Sequence, residues 1–140
     1  MLSNHELELA TDGYLAAAGW LPGWDERASD EDNERGCDTD AQGGPFGDDA
    51  RQAARDAVRD LVGALDNGSD ALAYIDVMRK RGNGGAGMLG HDLWLTRNGH
   101  GAGFWDRGLD DLGERLSAAA RSLGEAYSYI DAEGVVRIDG

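Results

Sequence analysis

Apolar residues in the first half of the chain recur every three or four positions, the spacing of one helix face. One set predicts a helix over residues 5–19, and it consists of Leu7, Ala10, Tyr14, Ala17 and Ala18. A longer stripe, which Asp48 or Asp49 would cap, consists of Ala50, Ala53, Ala54, Ala57, Val58, Leu61, Val62 and Leu65. A third set consists of Leu72, Ile75 and Met78, and Ser69 or Asp70 would cap its helix. Three amphipathic helices are therefore predicted before residue 82.

The pattern changes after the glycine-rich run at residues 82–90. We interpret this run as a break in the chain, serving either as a flexible connection or for close backbone packing. Residues 93–96 alternate in polarity with a period of two, and Asn98-Gly99 is typical of a tight turn. A β-hairpin is therefore predicted around this turn.

The last part of the chain combines one more helix with a second hairpin. The helix is predicted from Leu109, Leu112, Leu116, Ala119, Ala120 and Leu123. The hairpin joins residues 127–131 to residues 135–138 through Ala132-Glu133-Gly134. The predicted fold class is α+β, with N-terminal helices followed by a small antiparallel sheet of hairpins and one amphipathic helix packed on that sheet.

The first predicted hairpin would have two different faces. Leu93, Leu95 and Phe104 would share one face and pack in the core. Trp94 and Trp105 would share the other face. These two tryptophans would either cover the second side of the sheet or form a partly exposed aromatic patch that anchors a partner.

Length and composition favour one globular domain over residues 1–140, since the apolar fraction of 41% is enough for one modest core. Residues 22–46 contain hardly any apolar side chain and are predicted to be an acidic surface loop or a disordered segment. No apolar run is long enough for a membrane span and no signal sequence is recognisable, so we expect a cytoplasmic protein. Cys37 is the only cysteine, which excludes an intrachain disulfide.

The charge is strongly acidic and unevenly distributed. The formal net charge is −14, and residues 1–50 contain 13 acidic and 2 basic side chains. Such a chain repels nucleic acid and anionic lipid, so direct binding to either is not expected. The bias towards aspartate and arginine over glutamate and lysine has two interpretations. It reflects either a compositional bias of the source or a functional anionic face.

The segment from Gly90 to Gly108, GHDLWLTRNGHGAGFWDRG, is dense in Trp, His and Gly. It resembles a signature of small uncharacterised proteins of tailed bacteriophages and prophages, and the likeness extends over roughly residues 89–138. The resemblance implies a phage context, and so a host cell cytoplasm as location, but no reaction. Upstream of residue 80 the chain is less similar to that family, above all in its acidic loop.

Several residues suggest catalysis or metal binding. His91, His100 and Asp106 are of the types that carry protons or bind metals, but the geometry of the predicted hairpin separates the two histidines along its strands and argues against one compact site. A His91–Asp106 pair across the hairpin is the simpler interpretation. A partial match to a calcium loop at residues 38–49 has a weaker ligand at Gln42, an aspartate in place of the usual bidentate glutamate, and no helix that enters the loop. The glycine run lacks the strand and helix that flank a phosphate loop. No catalytic residue, metal or cofactor is therefore assigned.

The sequence predicts a non-catalytic acidic phage protein that imitates the charge of nucleic acid. Its expected partner is the basic surface of a host nucleic-acid-binding complex, as in anti-CRISPR or anti-restriction inhibition, and the tryptophans also raise the expectation of a homodimer. The predicted partner-binding residues are Asp25, Glu26, Asp30, Glu31, Asp32, Glu34, Asp38, Asp40, Asp48, Asp49, Trp94 and Trp105. The alternatives are a metal-binding or hydrolytic protein that uses His91, His100 and Asp106, and an accessory phage protein whose acidity reflects its source.

Overall fold

A computed structural model describes residues 2–20, 24–27, 45–66, 68–99 and 102–139. Within these ranges the chain forms five α-helices, which are α1 (Asn4–Trp20), α2 (Asp48–Ala64), α3 (Ser69–Lys80), α4 (Ala86–Arg97) and α5 (Asp111–Ser122). A short 3-10 turn, Phe104–Asp106, lies between α4 and α5. The strands are β1 (Trp24–Asp25), β2 (Tyr127–Ile130) and β3 (Val136–Asp139). The predicted α+β class is confirmed, as are the helices α1, α2, α3 and α5 and the terminal hairpin.

The predicted hairpin around Asn98-Gly99 is wrong, because its first half is the helix α4. Leu93, Trp94 and Leu95 are all buried, although consecutive residues point in different directions around a helix. A helix that is buried around most of its circumference has no continuous polar face and therefore no clear helical period. Gly99, with φ of +68°, follows the end of α4, where a glycine in this conformation commonly ends a helix.

Helix α4 crosses α1 at very short range. A Cβ atom on Gly90 would overlap the carbonyl group of Ala10, and one on Gly13 would overlap the carbonyl group of Gly87. Only glycine allows the two backbones to approach this closely. Of the two interpretations of the glycine run, close backbone packing is therefore the correct one for Gly90.

One hydrophobic core joins all five helices and β3 in the described part of the chain. Strand β2 pairs antiparallel with β3, and β1 adds to the free edge of β2 in parallel. The amphipathic helix in contact with β3 is α2, while Ser128 of β2 donates a hydrogen bond of 2.9 Å to the carbonyl of Ala18 at the end of α1. No helix among the described residues is both long and apolar enough to cross a membrane.

Candidate functional site

The acidic residues predicted to bind a partner fall into two groups. The first lies outside the described residues and consists of Asp30, Glu31, Asp32, Glu34, Asp38 and Asp40. The second lies beside them in sequence. The backbone of Asp25 belongs to β1, and Glu26, Asp48 and Asp49 are exposed. Glu26, Asp48 and Asp49 are therefore accessible to a partner.

Both ends of the acidic segment are attached to the terminal hairpin. At one end Glu26 N donates a 2.8 Å hydrogen bond to the carbonyl of Ile130, on the free edge of β2. At the other end Val136 N donates to the carbonyl of Pro45 at 2.8 Å, and Gly47 N donates to the carbonyl of Val136 at 3.2 Å. Because β2 and β3 are neighbours, these attachments lie on opposite edges of the hairpin. The described residues that precede and follow positions 28–44 are therefore attached to opposite edges of the sheet.

Arg137 of β3 fixes the second end more firmly. Its Nη1 lies 2.8 Å from Asp49 Oδ1, and its Nε lies 3.0 Å from Asp131 Oδ2. The hydrogen bond from Arg137 holds the pKa of Asp49 below its ordinary value. For Asp131 the backbone N–H of Val135 is the largest cause of a lowered pKa, and Arg137 lowers it further. Both carboxylates are thus held in the charged form.

The remaining helices pair many of their charges. Arg55 Nε lies 3.0 Å from Glu8 Oε1 and Arg51 Nη1 lies 3.0 Å from Asp12 Oδ1, which joins α2 to α1. By contrast, residues 25–49 contain ten acidic and two basic side chains. The excess negative charge of the molecule is therefore concentrated in the segment attached to the hairpin.

The segment from Gly90 to Gly108 has a structural role that centres on Asp92. This carboxylate is fully buried and accepts hydrogen bonds from Arg107 Nε at 2.9 Å and Nη2 at 2.7 Å. The hydroxyl of Tyr74 donates a short hydrogen bond to it, and His91 Nδ1 lies 3.2 Å from its other oxygen. Burial raises the pKa of Asp92, but the hydrogen bonds from His91, Arg107 and Tyr74 outweigh burial and hold it below its ordinary value. Burial raises the pKa of Tyr74, which keeps its proton available for donation.

Other residues of the segment fix the part of the chain after α4. Thr96 Oγ1 accepts a 3.0 Å hydrogen bond from the backbone N–H of Phe104. Arg97 donates to the carbonyls of Gly124 at 2.8 Å and Leu123 at 3.0 Å, directly after the end of α5. Leu123 is the C-cap of α5, so its carbonyl is one of those that a helix end leaves without an intrahelical partner. Many polar residues of the segment therefore maintain the fold.

The two tryptophans predicted to anchor a partner have different environments. Trp94 is only 2% exposed and packs edge-on against Tyr14 with 5.2 Å between ring centroids, so its assignment as a partner-binding residue is wrong. The error arises from the strand register, which placed it on an outer face. Trp105 is 48% exposed in the 3-10 turn and stays a candidate.

The residues considered for catalysis or metal binding do not form a metal site within the described residues, where no group of three potential ligands occurs. His100 lies outside those residues, as does most of the calcium-loop segment. The predicted His91–Asp106 cross-strand pair is wrong, because His91 lies in α4 and is paired with Asp92 instead. The sequence did not indicate that Tyr74 and Arg107 are partners of Asp92. Arg107 lies in the signature itself, but nothing local marks Tyr74 as its neighbour.

No protein-family model, no curated protein and no solved structure matches this chain.

Proposed function

We propose that this protein is a non-catalytic acidic binding protein that imitates the charge of nucleic acid. Residues 25–49 present closely spaced carboxylates to the basic groove of a host nucleic-acid-binding complex. The resemblance to phage proteins favours a defence complex, of the CRISPR or restriction type, inside the host cell. Occupation of its groove would exclude the DNA or RNA substrate.

The observation that carries the proposal is the attachment of the acidic segment to both edges of one hairpin. A freely hanging acidic tail would lose much conformational entropy when it binds. Two fixed ends, through Glu26 at β2 and through Pro45 and Gly47 at β3, reduce that loss. The pairing of charges between α1 and α2 further supports this function, because it leaves the segment as the main source of the negative field.

The test is displacement of DNA from purified CRISPR effector complexes and restriction enzymes, measured by fluorescence anisotropy. The segment variant carries D30N, E31Q, D32N, E34Q, D38N and D40N. The control variant removes the same number of exposed carboxylates elsewhere through D56N, D60N, D110N, D111N, E114Q and E125Q. We expect displacement by the wild type and by the control, and a loss of at least about tenfold for the segment variant.

Raising the salt concentration from about 50 to about 200 mM should weaken displacement by about tenfold or more, because groups that replace phosphates compete with counterions. Equal losses for the segment and control variants would show that only net charge matters. That result, or the absence of displacement from every complex, contradicts the proposal.

A further inference from the structure

A groove between the end of α1 and α4 has chemistry that the proposed function does not use. Its volume is about 310 Å³, and it is lined by Ala16, Ala17, Trp20, His91 and Leu95. Four of these side chains are apolar and one is an imidazole. A concave apolar surface with a single well-placed polar group is the usual composition of a small-molecule site.

The imidazole of His91 is held in one orientation and one tautomer. Its Nδ1 lies 3.2 Å from Asp92 Oδ1, and the buried carboxylate of Asp92 is ionised and has no proton to donate. Nδ1 must therefore carry the proton in the neutral ring, which leaves the acceptor lone pair on Nε2. Tyr74 and Arg107 in turn fix Asp92 from its other side. His91, which lines the groove, is thus supported by a second layer of hydrogen bonds behind its ring.

Trp20 provides the aromatic wall of this groove. Its side chain is 63% exposed at the end of α1, while Leu95 and Ala17 behind the groove are buried. An exposed indole beside a rigid aliphatic floor favours a flat apolar guest, through stacking and area burial. The volume, near the lower limit for ligand pockets, suits one or two aromatic rings.

We propose that this groove binds a small planar aromatic molecule that donates an N–H or O–H group to Nε2 of His91. The net charge of −14 disfavours an anionic ligand, so the molecule is neutral or cationic. Phenols, indoles and neutral nucleobases belong to this class. The site is independent of the acidic segment, so either proposal can fail without the other.

The experiment compares phenol with toluene, which has nearly the same shape but no hydrogen-bond donor. Each probe is titrated into the full-length protein, and binding is followed by NMR at the His91 imidazole and the Trp20 indole. We expect phenol to bind about fivefold more tightly than toluene, which is the contribution of one net hydrogen bond. Indole should show the same preference over naphthalene.

Two substitutions separate the roles of the groove residues. H91F keeps a ring but removes the acceptor, so it should abolish the preference for phenol while toluene binds as before. W20A should weaken both probes equally. H5F replaces another histidine, exposed near the start of α1, and should leave both affinities unchanged.

Urea denaturation of each variant verifies that it is folded, and W20A tests the groove even if H91F is unstable, because Trp20 is largely exposed. Equal binding of phenol and toluene to the wild type would overturn the proposal. So would the absence of a response at His91 with every probe, or a preference for phenol that survives in H91F.

Discussion

Arg107 and Asp92 form a two-point ion pair, with Nε–Oδ2 at 2.9 Å and Nη2–Oδ1 at 2.7 Å. The carboxylate is fully buried on α4, whereas the guanidinium reaches it from the loop after the 3-10 turn. Arg81 Nη1 donates to the carbonyl of Arg107 at 2.7 Å, which attaches the end of α3 to the same loop. The pair therefore joins three parts of the chain around one charge.

Removal of the cation from this pair should be strongly destabilising. In R107Q the charge of Asp92 stays buried without its main partner, and we expect a loss of about 3 kcal/mol in the free energy of unfolding. The measurement is urea denaturation at pH 7. In the double variant D92N/R107Q the uncompensated charge is gone, so its loss should be smaller than the sum of the two single losses.

The matched control for this prediction is K80Q, which breaks the exposed pair between Lys80 and Asp76. Surface pairs of this kind contribute little to stability, because solvent screens both charges. If R107Q costs no more than K80Q, then Asp92 is not dependent on Arg107 and the structural role of the pair is refuted.

The lowered pKa of Asp92 predicts a specific dependence of stability on pH. A carboxyl group whose pKa is lower in the folded state stabilises the fold above its unfolded pKa, near the ordinary value of 3.8, and loses this contribution as the pH falls through the folded value. The difference in unfolding free energy between the wild type and D92N should thus be constant above about pH 5 and shrink below about pH 4.

Urea denaturation at pH 7, 5, 4 and 3 measures this difference. D76N is the control, because Asp76 is exposed and its pair with Lys80 contributes little at any pH. A difference between wild type and D92N that stays constant down to pH 3, or grows there, would contradict the assigned ionisation of Asp92.

The elements predicted correctly from the sequence are those with one polar and one apolar face. Helix α2 exposes Arg59 and Asp60 opposite the buried Val58 and Leu61, and this contrast gives a clear period. Helix α4 has no such contrast, and a four-residue alternation was enough to imitate a strand. The pattern of apolar and polar residues cannot distinguish a helix from a strand when nearly all of the segment is buried.

The contacts of the candidate site were harder to predict from the sequence than the helices. Asp92 and Tyr74 are 18 residues apart, and their contact depends on how α3 packs against α4. A sequence pattern carries no signal for such a contact. The acidic segment, in contrast, is visible in the composition alone, but its attachment through Glu26 and Gly47 to the two hairpin edges required the sheet pairing.

Replacement by alanine should have opposite effects on stability at Gly90 and at Gly63. In G90A the new methyl group would overlap the carbonyl of Ala10, so α1 and α4 must separate at a cost of about 1–3 kcal/mol or more. In G63A no atom lies within 4 Å of the new methyl group, and α2 gains helix propensity of about 0.5–1 kcal/mol. Thermal and urea denaturation of both variants test this contrast. Stabilisation by G90A would show that α1 and α4 are not in close contact.

Thr96 should be more important for stability than its size indicates. T96V keeps the shape of the side chain but removes the acceptor for the N–H of Phe104, which lies 3.0 Å from Oγ1 in the protein interior. A buried donor without a partner costs about 1–3 kcal/mol, and we expect this loss in urea denaturation. The control is T11V. Thr11 is equally buried, but its hydroxyl donates to the carbonyl of Leu7 within α1, at 2.7 Å.

Loss of that hydroxyl leaves no donor unpaired, since the carbonyl of Leu7 still accepts the helical N–H four residues later. T11V should therefore cost less than about 1 kcal/mol. Hydrogen exchange adds a local measurement, because the amide of Phe104 should exchange faster in T96V and at an unchanged rate in T11V. Equal losses for the two variants, or an unaltered Phe104 amide in T96V, would mean that the turn after α4 is held by apolar packing and not by this hydrogen bond.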